Sequence, residues 1–144
     1  MTWSRLRALL FLGGLAAAAA LPLAGRALRP AAGPLCALDG VAIPASTRVA
    51  LLDGAGVGRE FCCVDCAVLW IRRTGERPRA ITVTDETSGA SLPAAEAWFV
   101  ESRVPSSEVT GCHVHVFARE EDARGHARAF GGRVEPERGG PLGR

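Results

Sequence analysis

Residues 61–66 read Phe61-Cys62-Cys63-Val64-Asp65-Cys66, three thiols within five positions. Beyond them Val64, Ala67, Val68 and Ile71 recur at i, i+3, i+4 and i+7, the apolar stripe of an amphipathic helix. Gly75 and Pro78 close that helix. The thiols therefore lie where a strand gives way to a helix. Cys62 and Cys66, or Cys63 and Cys66, have the spacing that puts two side chains on one side of the first turn. A helix N-terminus carries partial positive charge that favours thiolate over thiol. Thiolates are soft ligands suited to Cu(I) and also bind Zn(II).

Outward from this stretch, strands are expected at Thr47–Leu52, Ala80–Thr84, Trp98–Val100, His113–Phe117 and Arg133–Glu135. A short strand is expected at Val41–Ile43 and a second helix over Arg119–Phe130, stopped by Gly131-Gly132. Phe61 to Ala67 can be laid on Phe117 to Ala123 at a constant offset. The reading is an α+β fold of two related β-β-α-β units, treble-clef-like, after an N-terminal apolar segment. The units cover 36–86 and 96–135, with a linker at 30–35. The Pro/Gly/Arg-rich tail, 136–144, is expected to be disordered.

Residues 1–29 read as a signal peptide or membrane anchor. Arg5 and Arg7 precede a charge-free run from Ala8 to Gly25, and Arg26 and Arg29 follow it. The body is then periplasmic or otherwise extracytoplasmic, with the membrane as a partner through this segment. Net charge is +2 with both signs interspersed, so nothing resembles a nucleic-acid-binding stripe. No catalytic constellation stands out, and the chain is not read as an enzyme.

The metal-ligand candidates are Cys36, Cys62, Cys63, Cys66, Cys112, His113 and His115. Cys36-Ala37-Leu38-Asp39-Gly40 has the form of a zinc knuckle whose second Cys is replaced by Asp39. On a strand His113 and His115 share a face, and a bend at Gly111 would add Cys112. An exported protein meets an oxidising compartment, so structural disulfides compete with metal binding, and an odd count of five cysteines leaves one thiol over. His126 and the acids Asp85 and Glu86 read as ordinary surface residues.

The body from Cys36 to Glu135 resembles the NosL-like copper chaperones, accessory proteins of nitrous oxide reductase. The residues that carry the likeness are Cys36 to Gly40, Phe61-Cys62, Ala97-Trp98-Phe99-Val100 with Ser102, Phe117 to Ala123, and Phe130-Gly131-Gly132-Arg133-Val134. The Cys62-x3-Cys66 spacing with Cys36 upstream also resembles the TRASH metal-trafficking motif. The resemblance implies two related β-β-α-β units, a bound Cu(I) and a metal-receiving target protein. Met1 is the one methionine, so no thioether of the body can bind copper. The competing readings are a structural Zn(II) module that binds a partner and a thiol–disulfide oxidoreductase using Cys63 and Cys66.

Overall fold

The structure, a computed structural model, describes residues 33–143. The N-terminal segment, 1–29, lies outside them. Among the described residues no helix is long and apolar enough to cross a membrane.

Within the described residues, seven strands and two α-helices follow in the order β1 (Val49–Leu52), β2 (Gly58–Phe61), α1 (Val64–Thr74), β3 (Ala80–Thr84), β4 (Ser91–Pro93), β5 (Trp98–Glu101), β6 (Val114–Phe117), α2 (Glu120–Phe130) and β7 (Arg133–Val134). One antiparallel sheet has the order β2-β1-β3-β4 and the other β6-β5-β7. Each unit is a hairpin, a helix and a return strand that pairs with the hairpin's first strand. β6, α2 and the closing Gly131 stand 56 positions after β2, α1 and Gly75. Both glycines are left-handed, at φ 67° and 70°, and each donates its N–H four residues back to close the helix. The expected α+β fold of two related units is the one observed.

Local sequence accounts for the first sheet. Val49 and Leu51 alternate inward on β1 with Val83 of β3 beside them, as a period of two requires. Asp53 shapes the β1–β2 turn by accepting the amides of Ala55 and Val57 at 2.9 and 2.8 Å. On α1, Val64 and Ala67 are buried while Val68 and Ile71 pack beside them.

The second sheet uses both faces. Phe99 and Val116 join the main core with Phe61, Val64 and Ala67. Val100 and Phe117 turn the other way, onto Ala123 of α2. The junction is fastened by two acids after β3. The Asp85 carboxylate accepts the Ala118 amide at 3.0 Å, together with the amide and hydroxyl of Ser88. The Glu86 amide bonds the Val116 carbonyl at 3.0 Å, and the Glu86 carboxylate meets His115 at 2.8 Å.

Some expectations change. The strand at Val41–Ile43 reduces to one bridge between Leu35 and Ala42, which also draws the end of the linker into the fold. β4 was not expected, since Ser-Leu-Pro is too short to show a period. The tail is ordered where disorder was expected. Gly140–Leu142 forms a 3-10 turn, the Gly139 amide bonds the Ala97 carbonyl at 3.2 Å, and Leu142 is buried in the main core. Composition hid this because one well-placed leucine suffices to dock a short tail.

Candidate metal centre

Three pieces of chain meet at the start of α1. The first is the turn from Leu35 to Ala42. The Cys36 amide donates to the Val41 carbonyl at 2.8 Å and the Gly40 amide to the Cys36 carbonyl at 2.9 Å. Gly40 has φ 73°, a left-handed conformation that strains other residues. Asp39 Oδ1 accepts the Val41 amide two residues on at 3.0 Å, an Asx turn. The Ala37 amide then pins the turn to β2 through the Glu60 carbonyl at 2.9 Å.

The second piece is the end of β2. Phe61 and Cys62 have no exposed surface, and the Cys62 carbonyl is held by the Thr47 hydroxyl at 2.7 Å. The third is the first turn of α1, capped by the extended Cys63, with Cys66 one turn in. Knuckle turn, hairpin and helix start together form the expected treble-clef-like arrangement.

Cys36, Asp39, Cys62 and Cys66 converge there, with all four ligand atoms within 4.8 Å of one another. The sulfurs of Cys62 and Cys66 lie 3.5 Å apart, and Asp39 Oδ2 is 3.4 Å from Cys66 and 3.8 Å from Cys62. Cys36 and Cys62 are buried, Cys66 is half-buried and Asp39 is exposed. The cluster is therefore seated in the core and open on the side of Asp39 and Cys66.

Its electrostatics differ from the sequence reading in one respect. Burial pushes the Cys62 thiol up to about 11, with the neighbouring Cys36 thiol and Asp39 carboxylate adding to it. Burial, with Cys62 and Asp39 beside it, also pushes Cys66 up. The helix terminus does not overcome desolvation of these two thiols. Asp39 is shifted down, chiefly by the Val41 amide it accepts. An incoming cation would meet one carboxylate and protonated thiols, and would displace their protons as it binds.

The remaining candidates lie beyond this group. Cys63 and Cys112 are buried in the main core. The histidines stand apart from the cluster. His113 precedes β6 and is exposed, while His115 is buried on the strand. The His115 Nδ1 faces Glu86 at 2.8 Å and its Nε2 faces the Val104 carbonyl at 3.0 Å. Burial opposes its charge, but these two acceptors prevail and the imidazole is shifted upward. With both ring nitrogens engaged it is a structural bolt in this conformation.

One histidine was misread and one expected group was found in place. His126 is not a solvated helix residue. Its ring lies on His115 at 4.1 Å between centroids and on Phe130 at 4.7 Å, and Nε2 meets the Ser102 hydroxyl at 3.1 Å. Asp39 entered the sequence reading as a substitute for a missing knuckle cysteine, and it is the fourth group of the cluster. Its Gly40 neighbour and three-residue spacing from Cys36 were the available signal.

No protein-family model matches the sequence, and no curated protein matches it either. The fold has a counterpart among solved structures. The chain is similar to the crystal structure of the copper chaperone NosL from Shewanella denitrificans, with a TM-score of 0.64 and 18% identity. The similarity covers 72% of this chain and 87% of that one, and it bears out the resemblance drawn from Cys36–Glu135 at the level of fold.

Proposed function

We propose that this chain binds Cu(I) outside the cytoplasm and passes it to a metal-receiving target protein. The observation that carries the reading is the convergence of Cys36, Cys62 and Cys66 at a helix start, half-open to solvent. Three thiolates suit a soft monovalent ion. An open side gives a target's ligands access to the ion, so it can be exchanged rather than locked in. The likeness in fold to a copper chaperone supports the same direction. Export rests on the apolar N-terminal run with its flanking arginines. No step of this function asks for bond chemistry on a substrate, so the chain acts as a carrier rather than an enzyme.

The test is an anaerobic titration of the full-length chain with Cu(I) and Zn(II) against chromogenic chelators. One Cu(I) per chain, released to a stronger chelator and lost when Cys36, Cys62 and Cys66 are together replaced by Ser, is the expected result. Unchanged copper binding in that triple variant would sink the proposal.

One observation favours a second reading. With Asp39 as the fourth group the cluster offers the four ligands that a structural Zn(II) takes. Zinc that resists exchange, with unfolding on chelation, would identify a partner-binding zinc module instead.

A further inference from the structure

Helix α1 closes at Gly75, and the loop from there to β3 carries Glu76, Arg77, Pro78 and Arg79. That loop is held at both ends. The Glu76 carboxylate accepts from the Arg59 guanidinium at 3.1 Å and from the Trp70 indole at 2.9 Å. The Arg79 amide donates to the Leu52 carbonyl at 2.7 Å. Beside the loop lies a cavity of about 450 Å³, open to solvent, with Val68, Ile71, Ile81 and the tail's Leu142 in its lining. A second cavity, of about 370 Å³, shares Pro78, Ile81 and Leu142 with it, so the two make one furrow. The first alone has the size of a ligand site, roughly 300–1,000 Å³.

The charge of this furrow is unbalanced. Arg72 and Arg77 line the first cavity and Arg79 the second, and all three are exposed. Among the described residues none of the three has a carboxylate partner. Glu76, the acid of the lining, is already engaged by Arg59. Arg72 lies in the last turn of α1 and complements the helix terminus, but Arg77 and Arg79 lie beyond the helix.

We propose that the furrow docks a partner protein through an acidic segment that carries an apolar side chain. The apolar group sits among Ile71, Ile81 and Leu142. Its flanking carboxylates meet Arg77 and Arg79, whose planar forks match a carboxylate's two oxygens. A concave site takes a protruding side chain, whereas a flat lipid surface calls for apolar groups that protrude from the protein. The loop is already fixed, so docking costs little ordering on this side. The furrow uses no thiol of the cluster, and the proposal does not depend on the metal reading.

The test is fluorescence anisotropy of the full-length chain with a labelled short peptide of glutamates around a pair of leucines. Binding that weakens as salt rises is expected. Peptides with lysine for glutamate, or serine for leucine, should not bind. In the Arg77→Glu/Arg79→Glu variant the acidic peptide should bind about tenfold more weakly, the scale of two exposed ion pairs lost and two repulsions gained. The lysine peptide should then bind, which also shows that the variant is folded. An acidic peptide that does not bind the parent, binds no better than the lysine peptide, or binds the variant equally well overturns the proposal. So does sedimentation with phosphatidylglycerol vesicles that is lost in the variant, since the patch would then face a lipid surface.

Discussion

Replacing Asp85 by Asn probes the joint between the two units with almost no change of shape. The side chain is 4% exposed and serves three donors, the amides of Ala118 and Ser88 and the Ser88 hydroxyl. An Asn keeps one acceptor oxygen and turns an NH2 toward a donor that can no longer be satisfied. A hydrogen bond to a charged group is worth roughly 1.5–3 kcal/mol, so the expected loss is about 2 kcal/mol. For a domain of this size that lowers the melting temperature by about 8 °C. The sign of the pH dependence follows from the carboxyl's shift. Burial opposes its ionisation, but the Ser88 and Ala118 hydrogen bonds prevail, and its folded pKa lies below the ordinary 3.8. Its contribution is therefore fully present above 3.8 and is lost as pH falls through the folded value. Urea unfolding of both proteins at pH 7 and near pH 3 should give a gap that narrows in acid. An Asn variant within about 0.5 kcal/mol of the parent at pH 7, or a gap that does not narrow, would refute the joint's role.

Asp39→Ala should separate the two metals: Zn(II) affinity should fall at least about tenfold, the low end for losing even an outer partner, while Cu(I), held by three sulfurs, changes less. Competition titrations with both ions read this, and equal losses would count against copper as the fitted ion. Gly140→Ala should destabilise the fold by about 1–3 kcal/mol, because an added Cβ would lie 2.7 Å from Cγ of the buried Phe99 and the residue has φ 45°; thermal unfolding measures it. Glu86→Gln should lower the His115 pKa, since burial then acts against one charged partner fewer; NMR titration of the ring resolves it, and an unmoved pKa would mean the Val104 carbonyl alone holds the proton.

Much of the fold was legible because its signals were local. The apolar stripe of α1, the αL glycines at 75 and 131 and the alternation on β1 and β6 each name an element without reference to the rest. The cysteine run fixed where strand meets helix, and Cys36 with Asp39 announced the turn that faces it. What stayed hidden depended on tertiary placement. Asp85 and Glu86 look like any acidic turn until Ala118 and His115 are brought opposite them. His113 and His115 share a face on an ideal strand, but β6 begins at Val114, so one is left exposed and the other buried. The expected drop in thiol pKa failed for the same reason. The helix terminus is a sequence-level feature, whereas the desolvation that outweighs it exists only once the core has formed.

The repeat also explains why the ligand cluster arises once among the described residues. At the equivalent places after β6 the second unit carries Ala118, Arg119 and Asp122 instead of Cys62, Cys63 and Cys66. Its helix opens with Glu120, Glu121 and Asp122, charges that satisfy the helix terminus but leave no soft ligand there. The second unit contributes Phe99, Val116 and Cys112 to the core beneath the first helix start. Cys62 has no exposed surface in that core, and burial sets its thiol at about 11. A unit that binds no metal by this route can still govern it. Loosening the second sheet, as Asp85→Asn does, should admit water to the cluster, bring the Cys62 thiol down toward its ordinary value and raise its reactivity toward alkylating agents at neutral pH. Cys62 alkylation no faster in Asp85→Asn than in the parent would show that the first unit seals its own cluster.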